Sequence, residues 1–255
     1  MQPNPIVPID FPFGFELRWY GVLIGIGVLL ATLIVYKRAP RHGMPSEKVF
    51  DYILFALPLG VIGARLYYVI FNWSSYSGDF WKIINIREGG LAIHGGLIFG
   101  LATVAIMAWL RFENFFNLMD LAAPAIALAQ SVGRWGNYFN SEAHGGPTDL
   151  PWAIIVDGQS VHPTFLYESL WCFLLFIILL ILDNHRKFDG EIICLYGMLY
   201  SIERFFVEAL RTDSLMIGLL KQAQVISAVI FVAALVGFII LRKRQRHTFN
   251  SRYIR

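Results

Sequence analysis

The sequence is poor in charged residues and in cysteine. Asp, Glu, Lys and Arg make up only 15% of its 255 residues, whereas 56% are hydrophobic; ordinary soluble domains carry about 25% charged residues. This shortage excludes an ordinary soluble domain and favours a chain that is surrounded by lipid. The two cysteines, Cys172 and Cys194, lie within apolar runs, where a free thiol usually acts as a small buried hydrophobe, so we predict no disulfide.

Several common motifs are also missing. The sequence has no spacing typical of metal ligands, no nucleotide-binding loop and no nucleophile elbow, so we expect neither a metal nor a cofactor. Residues 1–16 contain four prolines but no basic residue and no small-residue cleavage site, unlike a removable signal peptide. We therefore expect the first helix to be retained and residues 1–255 to form a single membrane domain.

Seven apolar stretches are long enough to cross a membrane, which takes about 20 residues. They are predicted at 17–36, 49–71, 90–110, 118–138, 164–182, 190–210 and 219–241. The predicted fold is therefore all-α, a polytopic membrane protein built as a seven-transmembrane-helix bundle. The polar stretch at about 140–163 is expected to be a small extramembrane segment on the outer face, within which Trp152–Val156 could form a strand or a re-entrant segment.

The basic residues indicate the orientation of these spans. With the N-terminus outside, 13 of the 21 Lys and Arg fall in the inner segments and the C-terminal tail, and five fall outside. Since basic residues accumulate on the cytoplasmic side, we predict an outer N-terminus and a cytoplasmic C-terminus. Small residues at Gly21 and Gly25, and at Gly96 and Gly100, further predict close helix packing.

Two predicted spans carry polar stripes. Each stripe occupies one helical face and falls, like Tyr20 and His94, in the outer half of the membrane. The stripes are Gln130, Arg134 and Asn137 in the fourth span, and Tyr200, Arg204, Glu208 and Arg211 in the sixth. Because charged side chains in a bilayer face a partner or a wet cavity, we predict a shared, largely positive chamber. Guanidinium groups bind phosphate in a forked geometry, which favours a phospholipid headgroup as the ligand.

Several of these polar residues also have structural interpretations. Arg204 and Glu208 could form an ion pair that only neutralises a buried charge. Arg65 could pair with a carboxylate or extend to the interface. Asn117 and Asp120 could cap the start of the fourth helix.

Histidines and the start of the fifth span leave further alternatives open. His94, among glycines on an apolar helix, could be a packing residue or an acid–base group. His162 could only shape the turn before Pro163, and Tyr167 could be an ordinary interfacial tyrosine. Together with Glu168 these residues are additional candidates.

Three linked segments resemble the prolipoprotein diacylglyceryl transferase family. The first is Gly89-Gly-Leu-Ala-Ile-His94-Gly-Gly-Leu. The second is Gly133-Arg-Trp-Gly-Asn-Tyr-Phe-Asn-Ser-Glu-Ala-His-Gly-Gly-Pro147. The third runs from His162-Pro-Thr-Phe-Leu-Tyr-Glu168 to Tyr200-Ser-Ile-Glu-Arg-Phe-Phe-Val-Glu-Ala-Leu-Arg211, and the opening Leu17-Arg-Trp-Tyr20-Gly is also similar.

The resemblance implies a membrane enzyme with two substrates and no nucleic-acid partner. Such an enzyme moves the diacylglyceryl group of phosphatidylglycerol to the lipobox cysteine thiol of a prolipoprotein, which forms a thioether, releases glycerol 1-phosphate and begins lipoprotein maturation. It lies among the lipids of the bacterial inner membrane as a multi-pass protein, with its active site toward the outer leaflet.

The resemblance also implies the site residues. The implied catalytic set is Tyr20, His94, Arg134, Glu142, Tyr200, Arg204 and Glu208. The implied lipid-binding set is Arg134, Asn137, Gly145 and Arg204, with Gly146 as an alternative to Gly145. Supporting roles are implied for Asn117 and Asp120, which match positions that matter in the family, and are considered for Arg65.

The chemistry leaves the thiol base open, and two other functions are conceivable. Thioether formation needs a thiolate, which His94 or the field of the arginines alone could provide. An anion transporter would show internal repeats and polar residues through the full membrane thickness, and the sequence shows neither. A receptor or scaffold would not need converging Arg, His and Glu residues.

Overall fold

The computed structural model describes residues 4–8, 16–86, 89–212 and 214–253, with side chains through residue 245. In this part of the chain there are eight α-helices and two short β-hairpins. The helices are α1 (Trp19–Arg38), α2 (Lys48–Phe71), α3 (Phe80–Ile84), α4 (Ile93–Leu110), α5 (Phe115–Phe139), α6 (Thr164–Asp183), α7 (Glu191–Leu210) and α8 (Gln222–Tyr253). The strands are β1 (Ile154–Val156), β2 (Gln159–Val161), β3 (Met216–Ile217) and β4 (Leu220–Lys221). Arg87 and Arg255, counted for the orientation, lie outside the described residues.

The seven predicted apolar helices are all present, and α3 is an additional short one. Six of them, α1, α2, α4, α5, α6 and α8, are long and apolar enough to cross a membrane. Large apolar side chains such as Leu29, Leu54 and Ile70 are exposed along them, as expected for helices that contact lipid. The charged residues of α7 exclude it from a count based on composition, so the seven-span count and the orientation stay predictions.

One helix end differs clearly from its prediction. The last span was predicted to end at residue 241, whereas α8 continues to Tyr253. Hydropathy marks only the lipid-facing part of a helix. The basic and polar residues that follow Leu241, such as Arg242 and Lys243, are good helix formers, so the helix can continue beyond its apolar part.

The chain divides into two compact units. The first comprises Met1–Val35 and Met119–Arg255, and the second comprises Tyr36–Leu118. The single domain over residues 1–255 stays a prediction, and each unit is described by itself.

Glycines bring α2 and α4 together in the second unit. A side chain on Gly63 would clash with Phe99, and one on Gly95 would clash with the carbonyl of Gly63. Gly96 lies against Gly60, as the small-residue pattern predicts. In the first unit the pattern is wrong for α1: space around Gly21 and Gly25 is open within the described chain, and Gly27 contacts Ala129 of α5 instead.

The Arg65 side chain holds the segment before α4 by binding backbone carbonyls of that segment. Its five N–H donors contact five carbonyl oxygens at 2.7–2.9 Å. The carbonyls belong to Lys82, Ile83, Asn85, Gly89 and Gly90. Among the described residues the hydrogen-bond partners of Arg65 are carbonyls, so the predicted carboxylate partner is wrong. Arg65 is also buried, so the alternative that its side chain extends to the membrane interface is wrong as well.

A second polar cluster lies where α4 is joined to α5. Glu113 accepts hydrogen bonds from Lys48 Nζ at 2.7 Å and from the Tyr52 hydroxyl at 2.6 Å. Burial alone would raise the pKa of Glu113, but these two hydrogen bonds together with the charges of Lys48 and Arg111 outweigh it, and the pKa lies below the ordinary value of 4.5. The cluster therefore holds a stabilised carboxylate.

Asn117 and Asp120 were predicted to cap the fourth span, which is α5, but neither residue caps that helix. The Asn114 side chain caps α5, accepting from Phe116 N at 3.0 Å. Asn117 instead bonds His42, accepting from His42 Nδ1 at 2.9 Å and donating to its carbonyl at 2.8 Å. Asp120 caps α7, accepting from the backbone N–H groups of Gly190 at 2.7 Å and Ile193 at 2.9 Å. Orphan N–H groups at a helix start can take such partners from any neighbouring element.

The core of the first unit lies between α5, α6 and α7. Its fully buried residues are Ala123 and Ala127 on α5, Leu175 and Leu179 on α6, and Ile192 on α7. Alanines on one face of α5 allow the larger side chains of α6 and α7 to approach its backbone closely. These three helices therefore carry their polar residues at fixed positions.

The extramembrane segment contains a hairpin, so the strand alternative for Trp152–Val156 is confirmed at 154–156. β1 and β2 are joined by Asp157 and Gly158, with φ angles of 50° and 80°, as in the tight turns that match strand twist. The other edge of β2 is occupied, because Thr148 N donates to Ser160 O at 3.0 Å. The hairpin is thereby fixed to the residues that follow Gly145.

Candidate active site

Three charged side chains, one from each of α5, α6 and α7, meet in the first unit. Glu168 on α6 accepts a hydrogen bond from Arg204 Nη1 on α7, and its other oxygen lies 3.0 Å from Arg134 Nη1 on α5. Only 1% of Glu168 is exposed, against 21% of the Arg134 side chain. One buried carboxylate therefore pairs with both arginines.

This network continues along α7. Arg204 Nη2 donates to Glu208 at 2.5 Å, and Arg211 Nε lies 3.9 Å from the same oxygen. The ion pair considered for Arg204 and Glu208 is present, but Arg204 also contacts Glu168, so the pair is not only local. Glu168 and Glu208 supply two negative charges next to Arg134 and Arg204, which makes the site less positive than the sequence predicts.

The polar stripes of α5 and α7 face each other. The Tyr200 hydroxyl accepts from Arg134 Nη2 at 3.3 Å. About one turn away on both helices, the Tyr196 hydroxyl donates to Gln130 at 2.8 Å. Ser131 and Ser169 bond each other at the adjoining position between α5 and α6. The predicted convergence of the two stripes is confirmed.

Asn137 and Glu142 form a polar corner where α5 ends. Glu142 Oε1 accepts from the side-chain amides of Asn137 at 3.0 Å and Asn140 at 3.2 Å. Ser141 and Ala143, on either side of Glu142, have φ angles of 52° and 58°, which non-glycine residues adopt rarely and at a cost. This backbone turns Glu142 back over the last turn of α5.

Gly145 occupies a position without room for a side chain. A Cβ there would lie 2.6 Å from His162 Cβ and 3.1 Å from the Leu210 carbonyl. The backbone N–H of Gly145 donates to His162 O at 2.9 Å, which joins this segment to the start of α6. At Gly146 the nearest atom would be 3.7 Å away. Of the two alternatives, Gly145 is the one that must be glycine.

Tyr20 packs its ring on α5 beside this corner. A Cβ at Gly136 would lie 2.5 Å from Tyr20 Cδ2, so the glycine makes room for the ring. Gly136 directly precedes Asn137 and lies two residues after Arg134. The structure thus places Tyr20 against the helix that carries the predicted lipid-binding residues.

A small cavity opens beside Asn137 and Glu142. Its volume is about 200 Å³. Its walls are formed by the end of α5, the start of α6 and strand β1, and the lining residues include Tyr138, Phe165 and Ile155. The cavity is therefore partly polar and partly apolar.

His94 lies in the second unit, in the first turn of α4. Its ring is 6.0 Å, centroid to centroid, from Tyr67 of α2. Its role as a base or as a packing residue stays a prediction.

Two carboxyl groups were underestimated from the sequence. Glu168 was one of several additional candidates, yet it is the shared partner of both arginines; a carboxylate within an apolar span needs a cation, and that signal could have ranked it higher. Glu203 on α7 is 7% exposed, and neither of its oxygens has a hydrogen-bond partner in the described chain. No sequence signal separates it from a paired carboxylate.

Comparisons with known proteins indicate one family. A family model described as prolipoprotein diacylglyceryl transferase matches residues 8–240. The relatives that the chain is similar to include three proteins named phosphatidylglycerol–prolipoprotein diacylglyceryl transferase. The one from Clostridioides difficile is 48% identical over 239 residues, 94% of this chain and 96% of the relative. Those from Finegoldia magna and Clostridium novyi are 48% and 46% identical, over 88% and 96% of this chain and 91% and 99% of the relatives.

Proposed function

This chain belongs to the prolipoprotein diacylglyceryl transferase family, and we infer that it transfers the diacylglyceryl group of phosphatidylglycerol to prolipoproteins. It is a multi-pass membrane enzyme of lipoprotein maturation.

The acceptor is the thiol of the lipobox cysteine in the precursor. Its sulfur attacks the glyceryl carbon that carries the phosphate, a C–S bond forms, and the C–O bond to the phosphate breaks. The electron pair of that bond stays on the phosphate oxygen, so the leaving glycerol 1-phosphate gains negative charge while the thiol releases a proton. The site must therefore hold an anion that becomes more negative.

Arg134 and Arg204 are proposed to hold the phosphate. The observation that carries this proposal is their convergence on Glu168 from two different helices. In the described chain, Arg134 makes polar contacts only to Glu168 and Tyr200, and Arg204 only to Glu168 and Glu208. Each guanidinium has five N–H donors, so both retain donors for phosphate oxygens. Donors aimed at developing charge stabilise the transition state.

The surrounding residues are proposed to fix these arginines and the headgroup. Glu168 and Glu208 hold both guanidinium groups in place, and the Tyr200 hydroxyl orients Arg134. Asn137 and Glu142 form a polar corner for the glycerol part of the lipid, and Gly145 lets the backbone lie close to it. Tyr20 packs against α5 behind that corner.

The thiolate can form in two ways. His94 can accept the thiol proton, or the positive charge of the arginines can stabilise the thiolate without a base. A variant in which His94 is replaced by Gln distinguishes them. Loss of transfer that is restored by a precursor with a more acidic thiol supports the base, and normal transfer supports the field.

We propose that α7 is a seventh span in the bacterial inner membrane, with the N-terminus outside and the site toward the outer leaflet. Two of the charges on α7 that oppose this assignment are paired inside the protein, since Arg204 contacts both Glu208 and Glu168, and a third, Glu203, is buried. Charged residues that face a partner are compatible with a span. The excess of basic residues in the predicted inner segments supports the orientation.

The test is transfer by the purified protein in detergent, with phosphatidylglycerol and a lipobox peptide as substrates. We expect the peptide to gain the mass of a diacylglyceryl group and glycerol phosphate to appear in equal amount. A peptide with Ser in place of its Cys should gain nothing. A folded, lipid-binding protein that yields neither product would contradict the proposal.

A further inference from the structure

The small cavity beside Asn137 reaches the edge of strand β1. Ile154, Ile155 and Val156 all line it, although successive side chains of a strand point to opposite faces. Three consecutive residues can line one cavity only where it borders the strand backbone. Among the described residues no member of β2 lines it, so the cavity lies on the side of β1 that faces away from β2.

The backbone of Ile155 points toward that side. In a two-residue hairpin the pair next to the turn exchanges hydrogen bonds, and the following pair does not. Val156 pairs with Gln159 next to the turn, and Ile155 pairs with Ser160. The Ser160 carbonyl bonds Thr148 N on the far side of β2, which agrees with this pattern. The N–H and C=O of Ile155 therefore project away from the hairpin, and they have no partner within the described chain.

We propose that β1 binds the precursor by adding the peptide around its cysteine as an extended strand along this free edge. The proposal rests on the transferase function. A peptide that binds near the membrane in an extended conformation has backbone N–H and C=O groups that need partners where water is scarce. An unpaired strand edge supplies such partners.

The cavity has the size and position that this occupant requires. A volume of about 200 Å³ suits one or two amino-acid residues and is too small for two acyl chains. Tyr138 and Phe165 offer apolar contacts to a small side chain. Asn137, which also lines the cavity, is about one turn along α5 from Arg134, so the same end of α5 carries residues of both the cavity and the proposed phosphate site.

The experiment compares Ile155→Pro with Ile155→Ala. Proline removes the N–H on the free edge and spares the ladder to β2, a position where strands tolerate it. Since one backbone hydrogen bond contributes up to about 1.5 kcal/mol, we expect the KM for the peptide to rise about tenfold. The KM for phosphatidylglycerol should stay as in the unaltered enzyme. Alanine keeps the N–H, and its effect should be about twofold, as for an exposed side chain.

Peptides with a single N-methylated amide provide the second measurement, on the unaltered enzyme. One methylated position close to the cysteine should raise KM about tenfold, because it removes the donor to the Ile155 carbonyl. If Ile155→Pro fails to fold, the KM values of these peptides with the unaltered enzyme test the proposal without that variant.

Three results would overturn the proposal. They are equal peptide KM values for the proline and alanine variants, a rise in the KM for the lipid instead of the peptide, and equal effects of methylation at every amide. The first and third results leave transfer intact, so they would contradict peptide binding along β1 without contradicting the transferase function. Absence of transfer by the unaltered protein would overturn both.

Discussion

Replacing Glu168 by Gln tests whether one carboxylate holds both arginines of the site. The change keeps the size of the side chain and removes its charge. Arg134 and Arg204 would then lose their common partner, while Arg204 would still contact Glu208. Because Glu168 is almost completely buried, water cannot replace the lost charge.

The expected loss of stability is large. Removing one partner from a buried ion pair costs about 3–5 kcal/mol, since the other charge is left uncompensated. For a chain of this size each 1 kcal/mol lowers Tm by about 2–4 °C, so we expect a fall of about 6–20 °C. The phosphate of the lipid is expected to replace the missing charge, and phosphatidylglycerol should therefore raise Tm more in the variant than in the unaltered protein.

Thermal unfolding in detergent, with and without phosphatidylglycerol, measures both effects. The matched control is Glu142→Gln, because Glu142 is exposed and accepts only from two neutral amides. Its expected effect is about 0.5 kcal/mol, or about 1–2 °C. If Glu168→Gln has the same Tm as the control variant, Glu168 does not supply the counter-charge of the two arginines and the reasoning is refuted.

Three further predictions follow from the same contacts. Arg134→Ala should remain inserted and folded, since Glu168 keeps Arg204, but transfer measured by released glycerol phosphate should fall at least about 100-fold; normal transfer would exclude the phosphate role. Glu203→Met should be about 1–3 kcal/mol more stable and unfold at a higher temperature, because it removes a buried carboxyl group that has no hydrogen-bond partner among the described residues; a lower Tm would reveal a required contact. The lowered pKa of Glu113 means that its stabilisation is complete above the ordinary value of 4.5 and is lost as the pH falls through the lower folded value. Melting between about pH 6 and pH 3 should show this acid loss, and Glu113→Gln should reduce it.

The positions of the helices could be predicted because lipid imposes a strong pattern on a sequence. A span needs a continuous apolar run of nearly fixed length, and every predicted helix begins within three residues of the observed start. Structural features outside the lipid-facing helices were harder to predict. The hairpin of β3 and β4 was not predicted, since strands of two residues carry almost no periodic signal, and the turn at Asp157 and Gly158 was overlooked although that dipeptide favours a hairpin.

The candidate site was predictable only along single helices. Spacing within a helix places Arg134 with Gln130, and Arg204 with Glu208, on common faces. It does not tell which element supplies a partner from elsewhere in the chain. Glu168 is 34 and 36 residues away from the two arginines, and Asp120 caps a helix that begins 71 residues later. Such partners depend on tertiary packing, which a single sequence specifies only through the whole fold.

The charges of the network indicate how the site can bind a lipid and later release its product. The two proposed phosphate ligands, Arg134 and Arg204, pair with Glu168, and Arg204 also pairs with Glu208. Arg134 and Arg204 keep N–H donors beyond those that bind Glu168 and Glu208, and these donors can bind the single negative charge of a phosphodiester. A site with more carboxylates would repel the lipid, and a site without Glu168 would leave two arginines buried with too little counter-charge. After transfer the leaving phosphate monoester bears additional negative charge but has lost its acyl chains, so it is no longer held by the lipid phase. Glu168 already contacts both arginines and can satisfy them as the product departs, and we therefore expect the carboxylate to compete with bound phosphate and to promote its release.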